Sequence, residues 1–119
     1  MKQIDFVISA YGVRIPKIIY GTAWKNDRTA ALVEQAITFG LRGVDTACQP
    51  KHYHEPGGGV GLARCLFGGL TRADIYLQSK FTPGQDPDRM PYDPKASLAQ
   101  QVAQSFETSL RNLQTTSIA

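Results

Sequence analysis

The run Ile18-Ile19-Tyr20-Gly21-Thr22 and the run Leu41-Arg42-Gly43-Val44-Asp45, with Asp27 to Gly40 between them, decide how this chain folds. The first run is short, apolar and rich in β-branched and aromatic residues, as in a strand buried on both faces of a parallel sheet. In the intervening segment Asp27 is a candidate helix cap. Leu32, Val33, Ala36, Ile37 and Phe39 follow at helical spacing, and Gly40 supplies a stop. The second run is another short strand. Strand, helix and strand in that order make one β-α-β unit.

The alternation continues downstream. Val60 to Leu66 forms a second helix after Gly57-Gly58-Gly59, and Ile75 to Phe81 a third strand of the same kind. A long loop from Thr82 to Lys95 carries Pro83, Pro91 and Pro94, and loops of that length in small domains are usually functional or mobile. Ser97 with Gln100 makes a capping box, and the helix it opens has Leu98, Val102, Phe106, Leu110 and Leu113 on one face. Thr115 to Ala119 reads as the beginning of a fourth strand. Upstream, Ile4 to Ile8 and Val13 to Pro16 flank Ala10-Tyr11-Gly12, which predicts a hairpin with Gly12 in its turn. Such alternation leads to an open doubly wound sheet or a closed β/α barrel, and periodicity does not choose between them.

With 119 residues, 42% hydrophobic and 19% charged, the chain has the composition of one globular domain. Thirteen Lys and Arg against ten Asp and Glu leave a net charge of +3, but the basic residues are scattered, which argues against nucleic acid as a partner. No apolar segment has the length of a signal peptide core or a membrane span, so a cytoplasmic protein with no membrane partner is expected. Cys48 and Cys65 are expected to remain thiols.

In either architecture the ligand lies at the carboxyl ends of the strands. The residues there are Gly21-Thr22-Ala23-Trp24, Asp45 and Lys80, with Tyr53 in the loop after the second strand. Each is also readable as a solvated strand-end charge or a loop aromatic. Cys48, His52 and His54 share one loop, but their spacing matches no common structural zinc pattern, so no metal is expected. The glycines from Gly57 to Gly61 do not fit a dinucleotide fingerprint in any register, because Arg64 stands where one register needs a small residue; a flexible start to the second helix is the simpler reading.

Taken in order, Gly21-Thr22-Ala23-Trp24, Gly43-Val44-Asp45-Thr46-Ala47, Tyr53, Val60-Gly61-Leu62-Ala63, Gln78-Ser79-Lys80 and Gln104 to Leu113 resemble the signatures of the aldo-keto reductases. The resemblance runs through nearly the whole chain. It implies an α/β fold, the N-terminal part of a (β/α)8 TIM barrel preceded by a β-hairpin, with residues 1–119 as a partial oxidoreductase domain truncated at the fourth strand. It also implies NADPH as cofactor, NADH being the other candidate, and a small-molecule carbonyl substrate reduced to an alcohol. Within that resemblance Asp45, Tyr53 and Lys80 are the catalytic residues: Tyr53 gives the proton, Lys80 assists its departure and Asp45 orients Lys80. Gly21, Thr22, Ala23 and Asp45 would contact the cofactor and Trp24 the substrate. Two departures stand out. The loop Cys48-Gln49-Pro50-Lys51-His52 is longer than the commonest family spacing, and the family's catalytic histidine, which follows the fourth strand, has no counterpart before Ala119. A barrel of this kind needs about 250 residues to close. The other expectation is therefore a non-catalytic fragment, inactive or partner-binding, that associates through open sheet edges.

Overall fold

The computed structural model describes residues 6–118. Ile4 and Asp5, expected in the first strand, and Ala119, expected in a fourth, lie outside the described residues. The described residues open with the predicted hairpin, β1 (Phe6–Ile8) antiparallel to β2 (Arg14–Pro16). Gly12 has φ +81° in its turn, a conformation that a side chain would strain. Three strands then form a parallel sheet in the order β3 (Tyr20–Gly21), β4 (Gly43–Asp45), β5 (Tyr76–Gln78). Both outer strands have an unpaired edge among the described residues. The fold is thus α/β, and these three strands do not close a barrel.

The strand predicted over Ile18 to Thr22 is shorter than its apolar run, because Lys17 and Ile18 bend away and Ile18 is exposed. Helix α1 (Thr29–Thr38) follows a single 3-10 turn over Asn26–Arg28. Asp27 sits inside that turn and does not cap the helix; positive φ at Trp24 and Asn26 has already reversed the chain. The stop falls where predicted. Gly40 (φ +109°) donates to Ile37 O at 2.9 Å and Leu41 to Ala36 O at 3.1 Å, the two bonds of a Schellman motif. Val33, Ala36 and Ile37 are buried, but Phe39 is the C-cap and 76% exposed, off the packed face.

Helix α2 (Glu55–Phe67) starts earlier than expected, so Gly57, Gly58 and Gly59 lie inside it and are buried. They serve packing instead of loosening its start. A Cβ on Gly59 would fall inside the contact distance of the Asn112 carbonyl, and one on Gly61 would lie 2.6 Å from Ala30 O. The glycines let α2 approach α1 on one side and α3 (Leu98–Leu113) on the other. The core formed there contains Val33, Ile37, Val44, Leu62, Cys65, Ile75, Leu77 and Leu113.

Helix α3 carries the predicted capping box, with Ser97 Oγ accepting from Gln100 N and Gln100 Oε1 accepting from Ser97 N. The expected face is covered only toward its end, where Leu110 is half-buried and Leu113 joins the core. Ser105, Ser109 and Leu113 are buried, whereas Leu98, Val102 and Phe106 are 64%, 43% and 49% exposed. Of the inward hydroxyls, Ser109 meets a buried carboxylate described below and Ser105 a buried thiol. Residues Thr115 to Ile118 form no strand; Arg72 holds this segment through Thr115 Oγ1 at 3.0 Å and Ser117 O at 2.8 Å. No described helix is long and apolar enough to cross a membrane.

The glycine packing makes opposite expectations for neighbouring positions. Gly59→Ala should destabilise the fold by about 1–3 kcal/mol, since a methyl group against a backbone carbonyl cannot be accommodated without shifting a helix. Gly58→Ala, whose Cβ would meet only Leu113 Cδ2 at 3.6 Å, should be neutral or gain up to about 1 kcal/mol from helix propensity. Urea unfolding of the two variants checks this; equal effects would contradict it.

Candidate active site

The β4–β5 register places Asp45 opposite Gln78. Side chains two apart on an extended chain share a face, so Lys80, just beyond β5, is brought to the same side as Gln78. Lys80 Nζ donates to both Asp45 oxygens, at 2.6 and 2.7 Å, and Gln78 Nε2 donates to Oδ1 at 2.7 Å. The lysine is 42% and the aspartate 21% exposed, so this is a partly screened ion pair whose main effect is to fix two side chains. The ladder continues past the strands: Thr46 N donates to Gln78 O at 2.9 Å and Cys48 N to Lys80 O at 3.0 Å. Thr22, itself buried, donates from both its N–H and its hydroxyl to Asp45 O.

Tyr53 reaches the same place by a different route. The loop after β4 turns back at Gln49, whose carbonyl accepts from Tyr53 N at 3.0 Å, and Tyr53 then pairs antiparallel with Ala23 in an isolated bridge. Lys80 Nζ lies over its ring, 5.3 Å from the centroid. Asp45, Tyr53 and Lys80, far apart in sequence, are therefore brought together at the carboxyl end of the sheet. The Lys80 ammonium meets the ring of Tyr53 and makes no hydrogen bond to its hydroxyl. Trp24 stands beside them, 69% exposed, its N–H donating to His52 O at 2.8 Å. Gly21 closes β3 with open space above it: a Cβ there would meet nothing within 4 Å. Cys48, His52 and His54 are not drawn together, and among the described residues no group of three His, Cys, Asp or Glu is placed to hold a metal ion.

One buried charge beside the site was missed from the sequence. Glu55, the first residue of α2, is 2% exposed. It accepts hydrogen bonds from Ser79 Oγ, from Ser109 Oγ at 3.0 Å and from Asn112 Nδ2 at 3.1 Å. It thereby ties α2, the residue preceding Lys80, and α3 into one network, and explains the inward Ser109 of α3. A carboxylate two positions after Tyr53 was a visible signal, but a glutamate in a first helical turn is ordinarily a solvated one. Cys48 lies against the same cluster. Burial raises its thiol above the ordinary cysteine value, and the Glu55 charge adds to this, while hydrogen bonds with Ser105 and Ser109 pull the other way. Beside the cluster, between the loop with the start of α2 (residues 48–56) and α3, is a cavity of about 530 Å³ reached by Tyr53, His54, Arg89 and Thr108.

Cys65 is also raised, first by burial, so both thiols stay protonated in the fold at a pH where an unfolded chain begins to lose its protons. The folded state then binds more protons than the unfolded one, and stability falls as pH rises. Above about pH 8.5 stability should therefore decline as the unfolded thiols lose their protons, with about 1.4 kcal/mol per pH unit as the ceiling for each thiol. Chemical denaturation from pH 7 to 10 should show this slope, reduced in Cys48→Ala and again in the Cys48→Ala, Cys65→Ala double variant; an unchanged slope would contradict it.

No protein-family profile matches the chain, and no curated protein does. Solved structures do match. An aldo-keto reductase of the silkworm Bombyx mori in complex with NADP aligns with a TM-score of 0.79 at 23% identity, over 99% of this chain and 37% of that one. An aldo/keto reductase from Brucella melitensis aligns with a TM-score of 0.72 at 28% identity, over 98% and 39%. A second silkworm aldo-keto reductase, complexed with NADPH, gives 0.75 at 21%, over 98% and 34%. The chain therefore spans little more than a third of the length of these structures, and across nearly all of its own length it has the fold of the matching part of an aldo-keto reductase.

Proposed function

We propose that this chain carries the proton-donating half of an NAD(P)H-dependent carbonyl-reducing site, with Asp45, Tyr53 and Lys80 as its catalytic residues. The observation that carries this reading is the Asp45–Lys80 pair lying beneath Tyr53 at the strand ends. The residues present fit the reactive end of a nicotinamide cofactor. Gly21 leaves open space beside Thr22, Ala23 and the Asp45 carboxylate, and Trp24 is exposed next to it for a substrate. They do not form a phosphate cradle, because the α2 glycines are filled by neighbouring helices. The cofactor, when bound, supplies the hydride that goes to the carbonyl carbon.

The chain's own residues handle the proton. As negative charge develops on the carbonyl oxygen, a placed hydroxyl lowers the barrier by giving up its proton there. Tyr53 fills that role, and its phenol regains the proton from solvent. The positive charge of Lys80 stabilises the charge left behind on the phenol. Asp45 holds Lys80 by both oxygens, and Gln78 holds Asp45, so the cation stays beneath the ring. A second reading, a non-catalytic piece that binds a partner, rests on the exposed row Leu98, Val102 and Phe106 and on the two open sheet edges.

Alone, the 119-residue polypeptide should not oxidise NADPH with small aldehydes. Grafted in place of the matching stretch of the Brucella melitensis reductase, it should. In that graft Tyr53→Phe should lower turnover by about 10²–10⁴-fold while NADPH affinity, followed by fluorescence, stays unchanged, and Lys80→Met should also abolish most turnover. Retained turnover in Tyr53→Phe, or equal loss of cofactor affinity, would contradict the assignment. An inactive but folded graft would favour the second reading.

A further inference from the structure

The lengthened loop Cys48 to His52 is not used by the chemistry above, and it ends on a ring contact. The His52 imidazole packs against the Trp24 indole with centroids 4.2 Å apart and planes at 46°. The backbone fixes the same pair: Trp24 N donates to His52 O at 2.8 Å, and the adjacent residues Ala23 and Tyr53 form the isolated bridge. Trp24 has φ +62°, a left-handed conformation that bulky residues rarely adopt and that persists only where the surroundings hold it. With its side chain mostly exposed, the indole is not packed under the first helix. His52 is what lies against it, and His52 is placed by its own turn, donating from N to Gln49 O at 3.3 Å.

We propose that His52 is a positioning residue: by packing against Trp24 it holds the indole as a flat wall at the carboxyl end of the sheet, favouring substrates with a flat conjugated group beside the carbonyl. The substrate part rests on reading these strand ends as a carbonyl site; the ring-holding part does not. The length of the loop has a purpose on this view. It carries His52 back over Trp24 before delivering Tyr53 to Ala23, so one two-residue segment places both the indole and the phenol. An exposed aromatic ring held by a second ring presents its free face to a ligand with little rotamer freedom left to lose on binding.

Trp24 is the chain's single tryptophan, so its emission and its indole N–H resonance report on this contact without interference. In His52→Ala the acrylamide quenching constant should rise, the emission anisotropy fall and the indole N–H resonance move toward its position in an unfolded chain. His52→Phe, which keeps a ring, should restore all three. Far-UV circular dichroism checks that the variants fold; if His52→Ala does not, His52→Gln takes its place, keeping bulk without an aromatic ring. An unchanged indole in the ringless variant, or failure of His52→Phe to restore it, would overturn the positioning role. Titration of the parent with acetophenone and with cyclohexyl methyl ketone, equal in carbon number, should show the flat ketone binding about two- to tenfold more tightly, with that preference lost in His52→Ala. Equal binding of the two would overturn the substrate preference. Binding of neither, with the ring effects intact, would overturn the carbonyl-site reading and leave the His52–Trp24 positioning in place.

Discussion

The parallel register of β4 on β5 is the constraint from which the site follows. With Asp45 opposite Gln78, the lysine two residues further on shares the face of the carboxylate, and a bidentate contact forms without any long-range adjustment. A slip of one residue would send Gln78 and Lys80 to the opposite face and leave Asp45 without either partner. The register is held from both sides. Thr22 bonds twice to the Asp45 carbonyl, and Thr46 and Cys48 continue the ladder beyond the strands. Val44 and Leu77, buried on the helix side, penalise a slip by the loss of their packing.

Around that register the helices are placed by unusually close contacts. Glycines in α2 remove the side chains that would separate it from α1 and α3, and Glu55 then bonds to α3 and to Ser79, the residue before Lys80. A buried carboxylate is costly unless its oxygens are satisfied, and here three donors among the described residues satisfy them. Since Glu55 begins α2 two residues after Tyr53, the network that orders the helices also limits how far Tyr53 and the strand end can move apart. Packing and site geometry are therefore coupled through one side chain.

Much of this was legible in the sequence where a local rule has one answer. Gly40 ended its helix as a left-handed residue must, the Ser97–Gln100 box closed as its spacing required, and the strand ends at Asp45 and Lys80 met because alternation of β and α segments forces parallel strands side by side. Contacts between elements were not legible. Of the row Leu98, Val102, Phe106, Leu110 and Leu113 only Leu113 is buried, and the serines beside it, Ser105 and Ser109, turn inward, Ser109 onto the Glu55 carboxylate from a distant part of the sequence. The α2 glycines suggested flexibility because their effect depends on Asn112 and Ala30, distant in sequence. Asp27 suggested a cap because nothing local reveals that Trp24 and Asn26 take positive φ before it. The resemblance supplied the roles of Asp45, Tyr53 and Lys80, whereas the ring of His52 against Trp24 belongs to the loop in which this chain departs from the commonest family spacing.

The central claim is that Tyr53 and Lys80 form one unit over Asp45. It is tested most directly by nuclear Overhauser contacts between the Lys80 ε-methylene protons and the Tyr53 ring protons in the folded chain. An ammonium 5.3 Å from the ring centroid, held by both Asp45 oxygens, places those protons close enough for cross peaks, which should weaken sharply in Asp45→Asn. Their absence in a spectrum that otherwise shows the folded sheet, or their persistence unchanged in Asp45→Asn, would contradict the claim.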